Sequence, residues 1–228
     1  MNPNKKTKPW ERKSSSSGYK IGKYSQNKRI LIVCEGQSEE IYFKSFDVVS
    51  LDVKCIDSKG LSKIQLVDFC DKTVNDYKEK TVIFDEVWCV FDMDVKRGEK
   101  EFADYDNAIR SAKSKKFNVA YSNDAFELWF YLHYRYTDQQ HLRTFYYEQL
   151  SNLWNINYER SGKTVDHCKA IYGKLMVDKQ ANQQNAIKHA EKLHNNLIDL
   201  PYSQQNPVTT VYLLVKQLNE FLRGSKHS

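Results

Sequence analysis

The sequence predicts an α/β protein built on a parallel sheet, and three observations predict it. Two short runs, Ile30-Leu-Ile-Val-Cys34 and Val87-Trp-Cys-Val-Phe91, are apolar throughout and bounded by polar residues, as strands buried on both faces are. Segments of helical periodicity lie between such runs. Both runs end directly in acids, Glu35 after the first and Asp92 and Asp94 after the second. Alternating strand and helix implies βαβ units with helices on both faces of one sheet.

Taken in order, residues 1–28 are Lys-rich and carry the run Ser14-Ser-Ser-Ser17 before Gly18, so a basic disordered tail is expected, with order beginning near Arg29. The first strand, 30–34, ends in Glu35-Gly36. A helix over 38–49 places Ile41, Tyr42, Ser45 and Phe46 on one face. A short strand is expected over 53–56. A helix over 61–80 follows, from the spacing of Leu61, Ile64, Leu66, Val67 and Cys70. The strand at 87–91 leads to a helix over 99–116, then to a strand over 117–121 ending in Ser122-Asn-Asp124. From Ala125 onward the pattern is helical, with helices expected over 125–136, 140–153, 164–177, 181–199 and 208–222; Asn206-Pro207 supplies a turn before the last. The chain thus divides into a tail (1–28), an α/β core (29–124) and a helical C-terminal part (125–228) packed on or beside that core.

The 228 residues suffice for one sizeable core with a helical appendage, and 40% hydrophobic and 13% aromatic content is that of a globular chain. No apolar run approaches a membrane span, and the Lys- and Asn-rich start lacks the apolar stretch of a secretory signal, so a cytoplasmic protein without membrane contact is expected. The five cysteines form no CxxC pair, which argues against a zinc module or a disulfide framework; Cys34 and Cys89 sit inside apolar runs as small hydrophobes. Of the net charge of +6, residues 1–29 carry nine Lys/Arg against Glu11 alone, leaving 26 basic and 28 acidic residues in a nearly neutral body. Such a tail recruits nucleic acid through phosphate contacts or acts as a solubilising leader.

In an open parallel sheet, ligands bind outside the carboxyl ends of the strands. If the two apolar strands are neighbours, Glu35, Asp92 and Asp94 converge there. Asp92 and Asp94 are two apart and point the same way if the backbone stays extended. Carboxylates so gathered repel unless a cation is present. Hard oxygen donors with few protein ligands suit Mg²⁺ or Mn²⁺, which accept phosphate oxygens and assist phosphodiester cleavage. Gly36 would allow a tight turn and close approach to a phosphate at the next helix. Against this stands the frequency of D-x-D strings and of acids in loops after strands.

The segment Arg29-Ile-Leu-Ile-Val-Cys-Glu-Gly-Gln-Ser-Glu-Glu40 resembles the CEG-x-[TS]-E opening of the RloB-like family. Val87-Trp-Cys-Val-Phe-Asp-Met-Asp94 resembles its second motif, ending in D-x-D. Ser122-Asn-Asp-Ala-Phe-Glu-Leu-Trp-Phe-Tyr-Leu-His-Tyr134 resembles its SNP-x-FE-[LV]-W-x-x-x-H segment, and Asn206-Pro-Val-Thr-Thr-Val-Tyr-Leu-Leu-Val215 its closing NPST-x-V helix. The four segments keep the family's order. The resemblance implies a Toprim-like fold and, through AbiLii-type abortive-infection proteins, a Mg²⁺-dependent endonuclease acting on DNA or RNA, tRNA included, as the effector of an antiphage system. It also implies an ATPase partner from the same defence locus. By the same resemblance Glu35 is a metal ligand or general acid/base, Asp92 and Asp94 are metal ligands, and Glu39 and Glu127 support the site. Asp124 departs from the family's Pro, with a small local change in how the next helix begins as the expected result.

Glu127 and His133, six apart, lie on different faces of a helix, so that one faces the site and the other the core; Glu127 is favoured for the site and His133 for a structural role, with proton transfer as its alternative. Phe126, Leu128, Trp129, Phe130 and Leu132 are expected in the core rather than stacked on bases. Lys96 and Arg97 follow Asp94 and are candidate phosphate contacts, or else a solvated loop. Arg160-Ser-Gly-Lys-Thr164 lacks the first glycine and the preceding strand of a nucleotide-binding loop; Lys163 is retained as a nucleic-acid contact because the family carries a lysine in this region. The alternative function is a non-catalytic scaffold or sensor that binds the ATPase and a nucleic-acid or nucleotide signal. A homo-oligomer is among the candidate assemblies.

Overall fold

A computed structural model describes residues 28–49, 51–55, 62–94 and 99–222. The expected tail, apart from Lys28, and the pair Lys96 and Arg97 lie outside the described residues. The order is β1 (Ile30–Cys34), α1 (Gln37–Lys44), β2 (Leu51–Cys55), α2 (Lys63–Glu79), β3 (Glu86–Asp92), α3 (Glu99–Ser114), β4 (Asn118–Asn123), α4 (Glu127–Leu132), α5 (Arg143–Trp154), α6 (Tyr158–Ser161), α7 (Val165–Val177), α8 (Gln183–Leu197), β5 (Val208–Thr209) and α9 (Val211–Glu220). The sheet runs β2-β1-β3-β4-β5. The first four strands are parallel, and β5 pairs antiparallel with β4 through Ser122 opposite Thr209 and Asn123 opposite Val208.

The apolar runs are central strands because both faces are covered. Along β1, Ile30, Ile32 and Cys34 pack into one core with α1 and the C-terminal helices, while Leu31 and Val33 pack into the other with α2 and α3. β3 divides likewise, Trp88 and Val90 to the first core and Val87, Cys89 and Phe91 to the second. The C-terminal part therefore closes one face of the sheet, and Phe126, Leu128, Trp129, Phe130 and Leu132 all join that face's core. It also supplies the fifth strand. The helix expected over 208–222 begins only at Val211, because Val208 and Thr209 bond to β4 first. The helix expected over 125–136 is shorter, six residues, and α6 is an addition to the expected helices.

The chain leaves β1 towards β2 on one side and returns across to β3 on the other. Such a switch point is where open α/β sheets bind ligands, at the carboxyl ends of the strands, and there Glu35 follows β1 and Asp92 ends β3. Among the described residues no helix is long and apolar enough to cross a membrane.

Candidate active site

The backbone fixes the two strand ends together. Glu35 donates its N–H to the Val90 carbonyl at 2.9 Å, so the first acid starts level with the end of β3. Its carboxylate reaches the Asp92 N–H at 3.4 Å through Oε2 and accepts from Lys63 Nζ at 2.7 Å through Oε1. Gly36 has φ −117°, extended backbone open to any residue, so the expected need for a special turn is not met. Its role is space. A Cβ there would collide with Glu39 Oε2, because the Glu39 side chain folds back over the glycine. Glu39 lies in the first turn of α1 and is buried.

Glu39, Asp92 and Glu127 form the inner part of the cluster. Burial, then the Glu127 and Glu35 charges, push Glu39 up to about 7, against the opposing pull of its own backbone N–H and of Lys163. Asp92 is raised well above the usual carboxylate range, by its surroundings first and then by Glu39 and Glu127, with Arg143 acting in the opposite sense. Glu127, 3% exposed, accepts from the Tyr158 hydroxyl at 3.2 Å and pairs with Lys163 at 3.3 Å. Lys163 also lies 5.1 Å over the Tyr147 ring. The sheet thus brings Glu35, Glu39, Asp92 and Glu127 into one electrostatic neighbourhood, with Lys163 beside it.

Asp94 is placed differently from the extended-strand expectation. β3 ends at Asp92, and Asp94 turns into the left-handed region at φ 53°, a conformation Asp tolerates better than most residues. The two acids therefore do not share a strand face. The Asp94 carboxylate meets Arg143 Nη2 at 3.2 Å.

Four residues that the sequence does not assign to the site, Lys63, Glu101, Arg143 and Asp124, complete it. Lys63, 1% exposed, bridges Glu35 at 2.7 Å and Glu101 at 2.9 Å. Burial opposes its charge, but the two carboxylates outweigh it and hold the lysine above its ordinary value. Arg143 opens α5 and donates its backbone N–H to Asp124 Oδ2 at 2.9 Å and Nη2 to the Asp124 carbonyl at 3.2 Å. Asp124 is fully buried, so the departure from the family's Pro does more than alter the start of α4: it anchors a guanidinium. Helical spacing carried a signal for two of these. Lys63 shares the i, i+3, i+4, i+7 face of Leu66, Val67 and Cys70, and Arg143 precedes Tyr146, Leu150 and Trp154 on the buried face of α5. His133 lies inside the protein, its Nδ1 2.9 Å from the Trp129 carbonyl, away from the acids.

The donor chemistry of Glu35, Glu39, Asp92 and Glu127 fits a hard dication such as Mg²⁺ or Mn²⁺. In the arrangement described, Lys63 holds Glu35 and Arg143 holds Asp94, and no group of three His, Cys, Asp or Glu among the described residues converges to hold a metal ion.

Fold and site together define an α/β protein with a charged site of acids and counter-cations at the carboxyl edge of a mostly parallel sheet. The family model for RloB-like protein matches residues 30–218, and the chain belongs to that family. Comparison with curated proteins and with solved structures finds no match.

Proposed function

We propose that the chain is a Toprim-like, Mg²⁺- or Mn²⁺-dependent endonuclease acting on nucleic acid, in which Glu35 and Asp92 hold the metal together with acids drawn from Glu39, Glu127 and Asp94. The observation that carries this reading is the gathering of four acids at the ends of β1 and β3, where burial first and the neighbouring carboxylates after it raise Glu39 to about 7 and Asp92 well above its ordinary range. A bound dication relieves both the desolvation of these carboxylates and their mutual repulsion. The chemistry such an ion supplies when bound is Lewis-acid stabilisation of phosphoryl charge. Glu39, poised near neutral pH, can hold or release a proton at its carboxylate, and Tyr158 and Lys163 orient Glu127. A DNA or RNA target, the antiphage effector role and an ATPase partner from the same locus follow from the family resemblance.

A second reading has its own observation. With Glu35 and Asp94 engaged by Lys63 and Arg143, the site could serve as a scaffold or sensor that binds the ATPase and a nucleic-acid or nucleotide signal without cleaving it. Calorimetry with Mn²⁺ separates the two. Binding by the wild type that is lost in the Asp92→Ala/Asp94→Ala variant, followed by Mn²⁺-dependent cleavage of tRNA, plasmid or single-stranded DNA with the ATPase present, supports the nuclease. A folded wild type that takes up no Mn²⁺, with or without an oligonucleotide, favours the scaffold.

A further inference from the structure

We propose that Arg143, anchored by Asp124, is the residue that receives the phosphate of the nucleic acid at this site, a proposal that rests on the nucleic-acid reading above. An anionic ligand approaching Glu35, Glu39, Asp92 and Glu127 meets repulsion unless cations face it. Three cations among the described residues border the acids, and they are not equally available. Lys63 is closed off, 1% exposed and committed to Glu35 and Glu101. Lys163, 48% exposed, is a single point charge paired with Glu127 and lacks the fork of a guanidinium. Arg143 keeps 16% of its side chain exposed, and one nitrogen, Nη2, meets both Asp124 and Asp94.

The two contacts differ in kind. Asp124 is fully buried and holds Arg143 through the backbone N–H as well as through Nη2, so it fixes where α5 starts and where the guanidinium sits. Asp94, 21% exposed, makes one contact with the guanidinium at 3.2 Å. A phosphate can take the place of Asp94 while Asp124 keeps the arginine in position. The guanidinium also has a donor to spare, because its buried Nε has no hydrogen-bond partner among the described residues. The buried Tyr146 hydroxyl, in the same turn of α5, has none there either. A buried donor without a partner calls for a ligand or water, and a fork with an unspent N–H matches the oxygens of a phosphate. Asp124 stands where the family motif has Pro, which makes this anchoring a feature of this chain rather than of the motif.

The test is fluorescence anisotropy on the full-length protein in EDTA, with a labelled single-stranded DNA 12-mer and the RNA of the same sequence, at several salt concentrations. Arg143→Gln is expected to weaken binding of at least one oligonucleotide about tenfold and to lower the slope of log affinity against log salt by about one. Arg143→Lys, which keeps the charge opposite Asp124 and loses the fork, is expected to weaken binding while keeping the slope. Asp124→Asn is expected to fall between them. A structural role alone would leave the slope unmoved. Wild-type affinity and slope in folded Arg143→Gln or Arg143→Lys, or a wild type that binds neither oligonucleotide, would overturn the proposal. Mn²⁺ calorimetry on the same samples keeps the two readings apart. Binding of oligonucleotide that depends on Arg143 without Mn²⁺ uptake sinks the metal nuclease and leaves the phosphate contact standing, whereas Mn²⁺ uptake with oligonucleotide binding indifferent to Arg143 does the reverse.

Discussion

Replacing Lys63 by Met separates what the protein needs to fold from what the site needs to work. Lys63 Nζ lies 2.7 Å from Glu35 and 2.9 Å from Glu101, and the side chain is 1% exposed. Methionine fills most of the volume of the stem, so the change is electrostatic more than steric. Removing one member of a buried ion pair typically costs about 3–5 kcal/mol, because the partner charge is left uncompensated. Here the two carboxylates keep 20% and 11% of their surface open to water, which places the expected loss near the lower end, about 3 kcal/mol. Urea unfolding followed by circular dichroism in EDTA measures it. Repeating the titration in Mn²⁺ tests the site. An ion bound at a hundred times its Kd adds about 2.7 kcal/mol, and in the variant it would replace the missing charge at Glu35. Mn²⁺ should therefore stabilise Lys63→Met more than the wild type. A loss below about 1 kcal/mol, against the range for buried pairs, would refute the buried-pair argument. Equal stabilisation of both proteins by Mn²⁺ would refute the idea that lysine and metal share Glu35.

Two further outcomes are expected. Asp92→Asn removes a charge that burial, and after it Glu39 and Glu127, already disfavour, so in EDTA at pH 8 the variant should be more stable than the wild type, by about 1 kcal/mol, while Mn²⁺ uptake falls at least about tenfold by calorimetry, an expectation for a lost carboxylate ligand; a less stable variant in EDTA would count against that cost of charging Asp92. His133 is held at about 4 by burial, below the ordinary 6.5. A depressed folded value means that its contribution is complete above pH 6.5 and is lost as pH falls towards 4, an amount of about 3 kcal/mol, since each tenfold change in proton affinity is worth about 1.4 kcal/mol. His133→Asn should flatten the stability profile of urea midpoints between those pH values, and a profile parallel to wild type would show that burial of His133 does not govern the acid limb.

The framework was legible because it rests on patterns that a short window contains. Five consecutive buried residues in β1 and five in β3 can satisfy both faces of a sheet only as central strands, and the acids directly after them mark the strand ends. What stayed hidden was the counter-charge. Lys63 meets Glu35 across 28 residues, and Arg143 meets Asp124 across 19. Lys63 reads in the sequence as an ordinary charge at a helix start, where exposure is the common state. Only its register with Leu66 and Val67 hinted at burial. Asp94 differs from its expected placement for another reason. Period-two reasoning holds while the strand lasts, and β3 stops at Asp92 because the chain turns left-handed two residues later. β5 was hidden because two residues are too few to show alternation, and Val208 and Thr209 are strand only by pairing with β4.

The hidden residues also explain why the C-terminal helices belong to the site and not beside it. The acids Glu35, Glu39 and Asp92 come from the β1–α1 and β3 segments, but the cations facing them come from elsewhere: Lys63 from the start of α2, Arg143 from the start of α5 and Lys163 from the connection between α6 and α7. A sheet with α1 to α3 alone would keep Lys63 and lose both other cations, leaving Asp94 and Asp124 without Arg143. Charges of one sign held within a few ångströms in a partly buried site cost several kcal/mol, so the sheet edge is stable with its acids only once α5 and the α6–α7 connection have docked. A perturbation that loosens those helices should thus reach the acids before it reaches the strands. Any partner that grips α5 to α7 acts on the same contacts, Arg143 with Asp94 and Lys163 with Glu127, on which metal and phosphate would also draw.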